Sequence, residues 1–198
     1  MYWIERGGLL MWPLLAISLI ALGVIFERLI AFTTTRFLDD DLEARLLAAE
    51  EGRDGAEALV EERAPVLLPL VRILLSGGGA DRERRALVAI EDIARGLNRN
   101  LGILGLSGRV APLLGLLGTI MGMIQTFSRL ADVSGAVDMT TLADGIWQAL
   151  LTTAAGLIVA VPAVAAHQIF LWRRDQVLNR LARLANLMLA DKSPDAPS

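Results

Sequence analysis

The sequence predicts an all-α membrane protein: three transmembrane helices, a helical cytoplasmic insert and a cytoplasmic C-terminal helix. Three runs free of Asp, Glu, Lys and Arg, at residues 7–26, 110–128 and 145–172, carry most of that expectation. At about 1.5 Å of rise per residue the shortest reaches roughly 28 Å, the hydrocarbon thickness of a bilayer. The chain has 198 residues, is 54% hydrophobic and has a mean hydropathy of +0.51, high for a soluble domain and accounted for by the runs. Uninterrupted apolar runs mean helices, because a helix satisfies its own backbone in lipid.

The arginines set the orientation. Arg28 and Arg36 follow the first run, Arg95, Arg99 and Arg109 precede the second, and Arg173, Arg174, Arg180 and Arg183 follow the third. Only Arg6 and Arg129 stand on the other side. Basic residues favour the cytoplasmic side, so the N-terminus is expected outside and the C-terminus inside. Trp3, Trp12, Trp147 and Trp172 fall near run ends, where indole prefers the interface.

In chain order, residues 1–27 are the N-terminal segment and first span. Residues 1–6 lack a basic cluster and no small-residue cleavage site precedes Glu27, so a retained anchor is expected. This span is Leu/Ile-rich on all sides and is expected at the periphery, and Glu27-Arg28 at its exit reads as a local ion pair. Residues 28–103 form the cytoplasmic insert. Within it, 39–51 reads as a polar helix with Leu42, Leu46 and Leu47 on one side, punctuated by Gly52 and Gly55. The apolar stretch 65–75 is too short to span and is expected to pack on the protein. Residues 76–79 are a flexible break, after which Asp81 reads as the N-cap of a helix to Asn100. Leu87, Ile90, Ile93, Ala94 and Leu97 recur there at helical spacing. That helix can run on into the second span, although Gly102, Gly105 and Gly108 argue against a straight rod. The second span is 104–128, the external loop 129–144 and the third span 145–172, with Asp144 as its cap. The tail, 173–198, has a helix to Ala190 with Val177, Leu181, Leu184 and Leu187–Met188 on one stripe, then a disordered end.

Composition closes off several functions. With no Cys there is no disulfide framework, thiolate nucleophile or zinc-thiolate site. The single His excludes a multi-histidine metal site, and a net charge of −3 without a basic block does not suit nucleic acid. No nucleophile–base pair, metal set or phosphate loop appears, so neither an enzyme nor a cofactor is expected.

The second and third spans differ from plain lipid-facing helices. Gly115, Gly118 and Gly122 lie on one helical face, the last two as GxxxG. Thr152, Ala155, Gly156, Val159, Ala160 and Ala163 form a small-residue strip on the third span. Such faces suit tight helix packing, with threonine hydroxyls bonded back along their own helix. They also suit a lining for a polar path. The polar groups of the second and third spans include Thr119, Gln125, Thr126, Gln148, Thr152, Thr153 and His167, and none is a carboxyl. A proton crossing here must be carried by a carboxylate from another chain. His167 lies near the cytoplasmic interface, where packing or snorkelling is expected ahead of a relay.

Several stretches resemble the ExbB/TolQ/MotA proton-channel family. They are Met11-Trp12-Pro13-Leu14-Leu15 with Glu27-Arg28-Leu29, then Ala111-Pro112 through Met123-Ile124, and Gly145 through Leu157 continuing to Ala160-Val161-Pro162-Ala163-Val164. The resemblance covers all three spans in order. It implies an ExbB-like or TolQ-like subunit of a bacterial inner membrane, N-terminus periplasmic and C-terminus cytoplasmic, forming a homopentamer around two copies of a single-span ExbD/TolR-like partner, whose intramembrane Asp carries the proton. A TonB-like or TolA-like protein would be a further partner. The family's pore threonines fall on Thr119 and Thr153, with Thr152 and Gln148 beside them on the lining, while Gly115, Gly118, Gly122 and Gly156 pack helices. One departure is plain. Where many members read Gly-Ile-Ala-Glu-Ala-Leu, this chain has Gly145-Ile146-Trp147-Gln148-Ala149-Leu150, which keeps hydrogen bonding and loses the charge. A MotA-like stator fits less well, since that branch has four spans. The function expected is use of proton-motive force to energise a periplasmic or outer-membrane process, TonB-type uptake ahead of Tol-Pal. A non-conducting membrane scaffold is the alternative.

Overall fold

A computed structural model of the chain describes residues 8–34, 40–48, 52–76, 81–131 and 139–190. Expectations for Trp3, Arg6, Arg36, the glycines at 77–79, most of the periplasmic loop and the end of the tail lie outside them. Among the described residues all regular structure is helical. The helices are α1 (Met11–Thr34), α2 (Asp40–Ala48), α3 (Gly52–Arg63), a 3₁₀ turn (Pro65–Leu67), α4 (Leu68–Leu75), α5 (Asp81–Asn98), α6 (Leu101–Ala131) and α7 (Met139–Ala190). Three of them, α1, α6 and α7, are long and apolar enough to cross a membrane. The chain divides into two compact units, Met1–Glu27 with Asn100–Ile169 and Arg28–Arg99 with Phe170–Ser198.

In the first unit, Pro13 sits in the opening turn of α1, where a missing N–H costs nothing because those donors have no helical acceptor. One stripe of α1 (Leu14, Ala21 and Val24) is buried, and Leu14 packs with Ala111 and Ala160. The first span is therefore not alike on all sides: Leu15, Leu19, Ile20, Leu22 and Phe26 are exposed, and the smaller Ala21 marks the packed face. Both α6 and α7 run through an internal proline, Pro112 and Pro162. The glycines at 102, 105 and 108 lie inside α6 and do not break it. The break falls just before, at Asn100, whose φ of 60° is the left-handed conformation that Asn tolerates better than most residues. Its side-chain N–H donates to Glu27 Oε2 at 2.7 Å, which holds the joint between α5 and α6 against the end of the first span.

The second unit is built on an apolar core. Leu42 and Leu46 of α2, Val60 of α3, Leu67, Leu70, Val71 and Leu74 around α4, and Leu181, Leu184 and Met188 of α7 are all buried in it. The 65–75 stretch thus packs on the protein as its length requires. On α5 the buried stripe is Arg82, Ala86, Ala89, Ile93 and Leu97, whereas the expected Leu87 is exposed. Leu47 and Leu187 are likewise exposed. Two arginines are buried because they end helices. Arg82 donates to the Met188 carbonyl at 2.7 Å, and Arg28 donates to the Gly96 and Leu97 carbonyls at 3.2 and 3.4 Å. Both complement the negative end of a helix whose last carbonyls lack intrahelical donors. At the surface, hydrogen bonds from Arg63 and then Arg45 hold the Asp41 carboxyl below its ordinary range.

Three further boundaries differ from expectation. Gly52 and Gly55 do not punctuate; they lie in the opening turn of α3. Asp144 does not cap the third span, because α7 already begins at Met139. The third span and the tail helix are one uninterrupted helix of 52 residues.

Candidate functional site

Within the first unit, α6 and α7 meet glycine by glycine. A Cβ added at Gly105 would stand 3.1 Å from His167 Nε2, at Gly115 3.0 Å from the Thr153 Cα, and at Gly122 3.0 Å from the Ala149 Cβ. One at Gly108 would run into the Val164 side chain, and one at Gly118 into that of Thr152. From the other helix, Gly156 would meet the Ala111 carbonyl oxygen at 2.6 Å, and Gly145 would meet Thr126. Numbers rise along one helix as they fall along the other, so the pair is antiparallel. At Gly156 the obstacle is backbone and an added carbon does not fit, while at the other points a neighbour would have to give way, and that closeness supplies the dispersion contacts that hold helices together in lipid.

The threonines are divided by this seam. Thr152 is inside it, 1% exposed, with its methyl against Gly118 and its hydroxyl donating to the Gln148 carbonyl at 3.1 Å. Thr153 lies at the edge of the seam, and its hydroxyl crosses to the Gly115 carbonyl at 2.9 Å. Thr119 stands outside, donating to its own helix at the Leu116 carbonyl at 2.7 Å. It borders a shallow groove of about 720 Å³ formed with Ile120, Met123, Ile124, Phe127 and Ser128. Thr119 is the middle residue of the uncharged run 110–128. Thr153 and Thr119 are within one turn of the Gly115–Gly118 contact, so the two hydroxyls share one level of the bundle. Each spends its single proton on a backbone carbonyl and keeps acceptor lone pairs.

Gln148 is half-buried, and its amide lies beside Gly8, where a Cβ would stand 3.1 Å from Nε2. Gly8 has a φ of +76°, a conformation that favours glycine. His167 packs its ring on Gly105. Sequence reasoning missed Gly105, Gly108, Gly145 and Thr126 as members of the seam. The signal was present, because 105, 108, 115, 118 and 122 continue one helical face.

These spans define a class: a membrane helix bundle with hydroxyls, amides and one imidazole, but no carboxyl, in residues 110–128 and 145–172. Residues 70–183 match the MotA/TolQ/ExbB proton channel family, and the chain belongs to it. It is similar to the biopolymer transport protein exbB1 of Vibrio cholerae, 34% identical over 190 residues that cover 92% of this chain and 83% of that one. It is also similar to the Tol-Pal system protein TolQ of Pseudomonas aeruginosa, 37% identical over 103 residues (52% of this chain, 44% of that one). A third relative is the biopolymer transport protein ExbB of Salmonella typhimurium, 37% identical over 78 residues (39% and 32%). With three apolar spans, the chain is a multi-pass inner-membrane protein and a proton-channel subunit of an energising complex.

Proposed function

We propose that this subunit forms a homopentamer around a dimer of a single-span ExbD/TolR-like partner and supplies the uncharged wall past which the partner's intramembrane carboxyl moves protons. The observation that carries this reading is Thr119: packing does not require a hydroxyl at mid-span outside the seam, beside an apolar groove. Thr119 and Thr153, with their donors already used, offer lone pairs to a protonated carboxylic acid. A carboxylate would have to draw a hydroxyl proton away from its backbone carbonyl. The wall therefore favours the neutral acid, which can cross apolar surface, and disfavours the ion. Thr152 holds the seam behind them, and Gln148 contributes an uncharged amide. In this reading residues 28–103 and 173–198 are cytoplasmic and 129–144 periplasmic, in keeping with the arginine distribution. TonB-type uptake is the favoured output, in line with the long match to the Vibrio protein, and Tol-Pal the second.

The test is proton entry into vesicles holding this chain, an acidic single-span partner, or both. Flux is expected only with both, and flux from this chain alone would sink the proposal. A non-conducting scaffold would give none in any combination. Mass determination in mild detergent should return five copies, and a monodisperse monomer with undiminished partner-dependent flux would remove the ring. Gln148→Glu should leave the proton carrier in the partner. The glutamate would titrate near the outer end of the span, about one turn inside Asp144, where it can stay hydrated. Replacing the partner's intramembrane Asp with Asn should then stop flux in both backgrounds. Flux rescued by Gln148→Glu would assign the carrier to this chain instead.

A further inference from the structure

The second unit carries a groove that proton coupling does not use. It follows α5 from Arg84 to Leu97, about 20 Å of helix, beside the last turns of α1 and the 65–73 stretch, and has a volume of about 680 Å³. Its walls are mostly apolar, with Phe32, Ile73 and Val88 among them, and Phe32 is fixed by stacking on Phe170 with ring centroids 5.5 Å apart. An added Cβ at Gly96, also in the lining, would meet nothing within 4 Å, so the chain does not fill that stretch itself. The two ends of the groove differ in charge. Towards Leu97, Arg28 is 5% exposed and donates to the Gly96 and Leu97 carbonyls. At the other end the Arg84 and Arg85 side chains are 83% and 55% exposed and approach Asp81 only at 3.4 and 3.5 Å. Exposed pairs of that kind are worth little and yield readily to a better anion.

The acids that complement those two arginines belong to another side of the same unit. Residues 40–63 hold nine acids against three arginines. Helix α4 packs on α5 and on α3, and α2 packs on α3, so α2 and the groove lie on different sides of the unit. Asp40, Asp41 and Glu57 are taken up by Arg180, Arg63 and Arg72. Glu43 has no ion pair among the described residues. One turn further along α2 stands Leu47, a large apolar side chain left 41% exposed on an acidic helix. The spacing matches the groove. Glu43 and Leu47 are one turn apart on α2, as Arg84 and the half-exposed Val88 are on α5. Laid along α5 in the same direction, α2 of another copy brings Glu43 to Arg84 and Arg85 while Leu47 covers Val88. We infer that the groove takes α2 of a second copy in this way. The two patches are unlike, so each copy gives α2 to one neighbour and its groove to the other, a head-to-tail contact that can close into a ring. The contact rests on the ring proposed above and names the surfaces that join it in the second unit.

The experiment uses the full chain, which has no cysteine of its own, in mild detergent. Leu47→Cys and Val88→Cys are made in separate chains, co-expressed and gently oxidised. Peptides linking position 47 of one chain to position 88 of another are expected, with little dimer from either variant alone. Val88→Cys combined with Leu187→Cys, exposed on another helix, should give little product. Arg84→Glu with Arg85→Glu in the Val88→Cys chain should cut the 47–88 product about tenfold, the scale of a like-charge contact, and Glu43→Arg in the Leu47→Cys chain should restore it. All of these side chains lie at the surface, and mass determination on each mixture reads assembly separately from crosslinking. A ring of five copies without the 47–88 product overturns the inference and leaves the ring standing. A monomeric wild-type chain overturns both. Dimer from Val88→Cys alone equal to that from the mixture means groove against groove and overturns the inference, as does a product indifferent to the charge reversal. Capture of Val88→Cys by a different polypeptide, with the 47–88 product missing, overturns it as well.

Discussion

Gly156→Ala is expected to destabilise the α6–α7 pair by about 3 kcal/mol, the upper end for an overpacked interior. The added methyl carbon would lie 2.6 Å from the Ala111 carbonyl oxygen and 3.1 Å from the Gly115 Cα, both backbone atoms that cannot rotate aside. The helices must part, and the contacts at Gly115 and Gly118 go with them. Gly118→Ala meets the Thr152 side chain instead, so pairing it with Thr152→Ala should recover most of the loss. No side-chain change should rescue Gly156→Ala. Gly23→Ala and Gly102→Ala are the controls, since nothing lies within 4 Å of either added carbon, and both should be neutral or slightly stabilising. Denaturant titration in detergent, followed by helical circular dichroism, reads all five variants. Wild-type stability for Gly156→Ala would mean that the helices do not meet as described.

What the sequence showed and what it hid follow from the same physics. Lack of charge over 19 or more residues identifies the spans, because lipid penalises charge at every depth. It marks only what lipid covers. Helical hydrogen bonding continues past that limit into polar residues, so α1 runs on from 26 to Thr34 and α7 joins the third span to the expected tail helix without a break. The seam was half visible. Gly118 and Gly122 stand out as GxxxG in an apolar run, whereas Gly105 and Gly108, at the polar start of α6, read as helix breakers. The actual break, at Asn100, is one residue in a left-handed conformation tied to Glu27, a partner 73 positions away that no local pattern names. On α5 Ile93 and Leu97 are buried as expected, and Leu87 alone of the large residues misled. Leu87 points out while Ala86 and Ala89 face the core, and Arg82 is buried because its charge ends another helix at Met188. A buried charge whose acceptor lies 106 residues away cannot be told from a surface one by composition. The division among the three threonines was hidden for the same reason. Only the register between α6 and α7 decides which hydroxyl is enclosed and which is presented.

The double substitution Thr119→Val with Thr153→Val is expected to abolish partner-dependent proton flux while the ring still assembles. Valine matches threonine in size and branching but has no hydroxyl. The Thr153 change removes a hydrogen bond to the Gly115 carbonyl. In a membrane interior such a bond is worth about 0.6 kcal/mol on average, since the carbonyl keeps its own helix as partner, so the seam should survive. The cost falls on the moving acid. A protonated carboxyl that passes the wall without an acceptor is left unsatisfied in a dry environment, at about 1–3 kcal/mol for each missing bond. The acid has a single O–H to satisfy, so with neither acceptor at that level passage slows by roughly one to two orders of magnitude. Thr119→Ser with Thr153→Ser restores both lone pairs and should restore most of the flux, which separates the hydroxyl from the shape of the side chain. Thr152→Val is the contrasting case: its side chain is enclosed against Gly118, and its hydroxyl serves the Gln148 carbonyl within the same helix. It should lower stability modestly and leave flux per assembled complex near normal. Full flux through the Thr119→Val/Thr153→Val ring would reduce all three threonines to packing residues. Loss of flux from Thr152→Val alone, with assembly intact, would place the path through the seam rather than beside it.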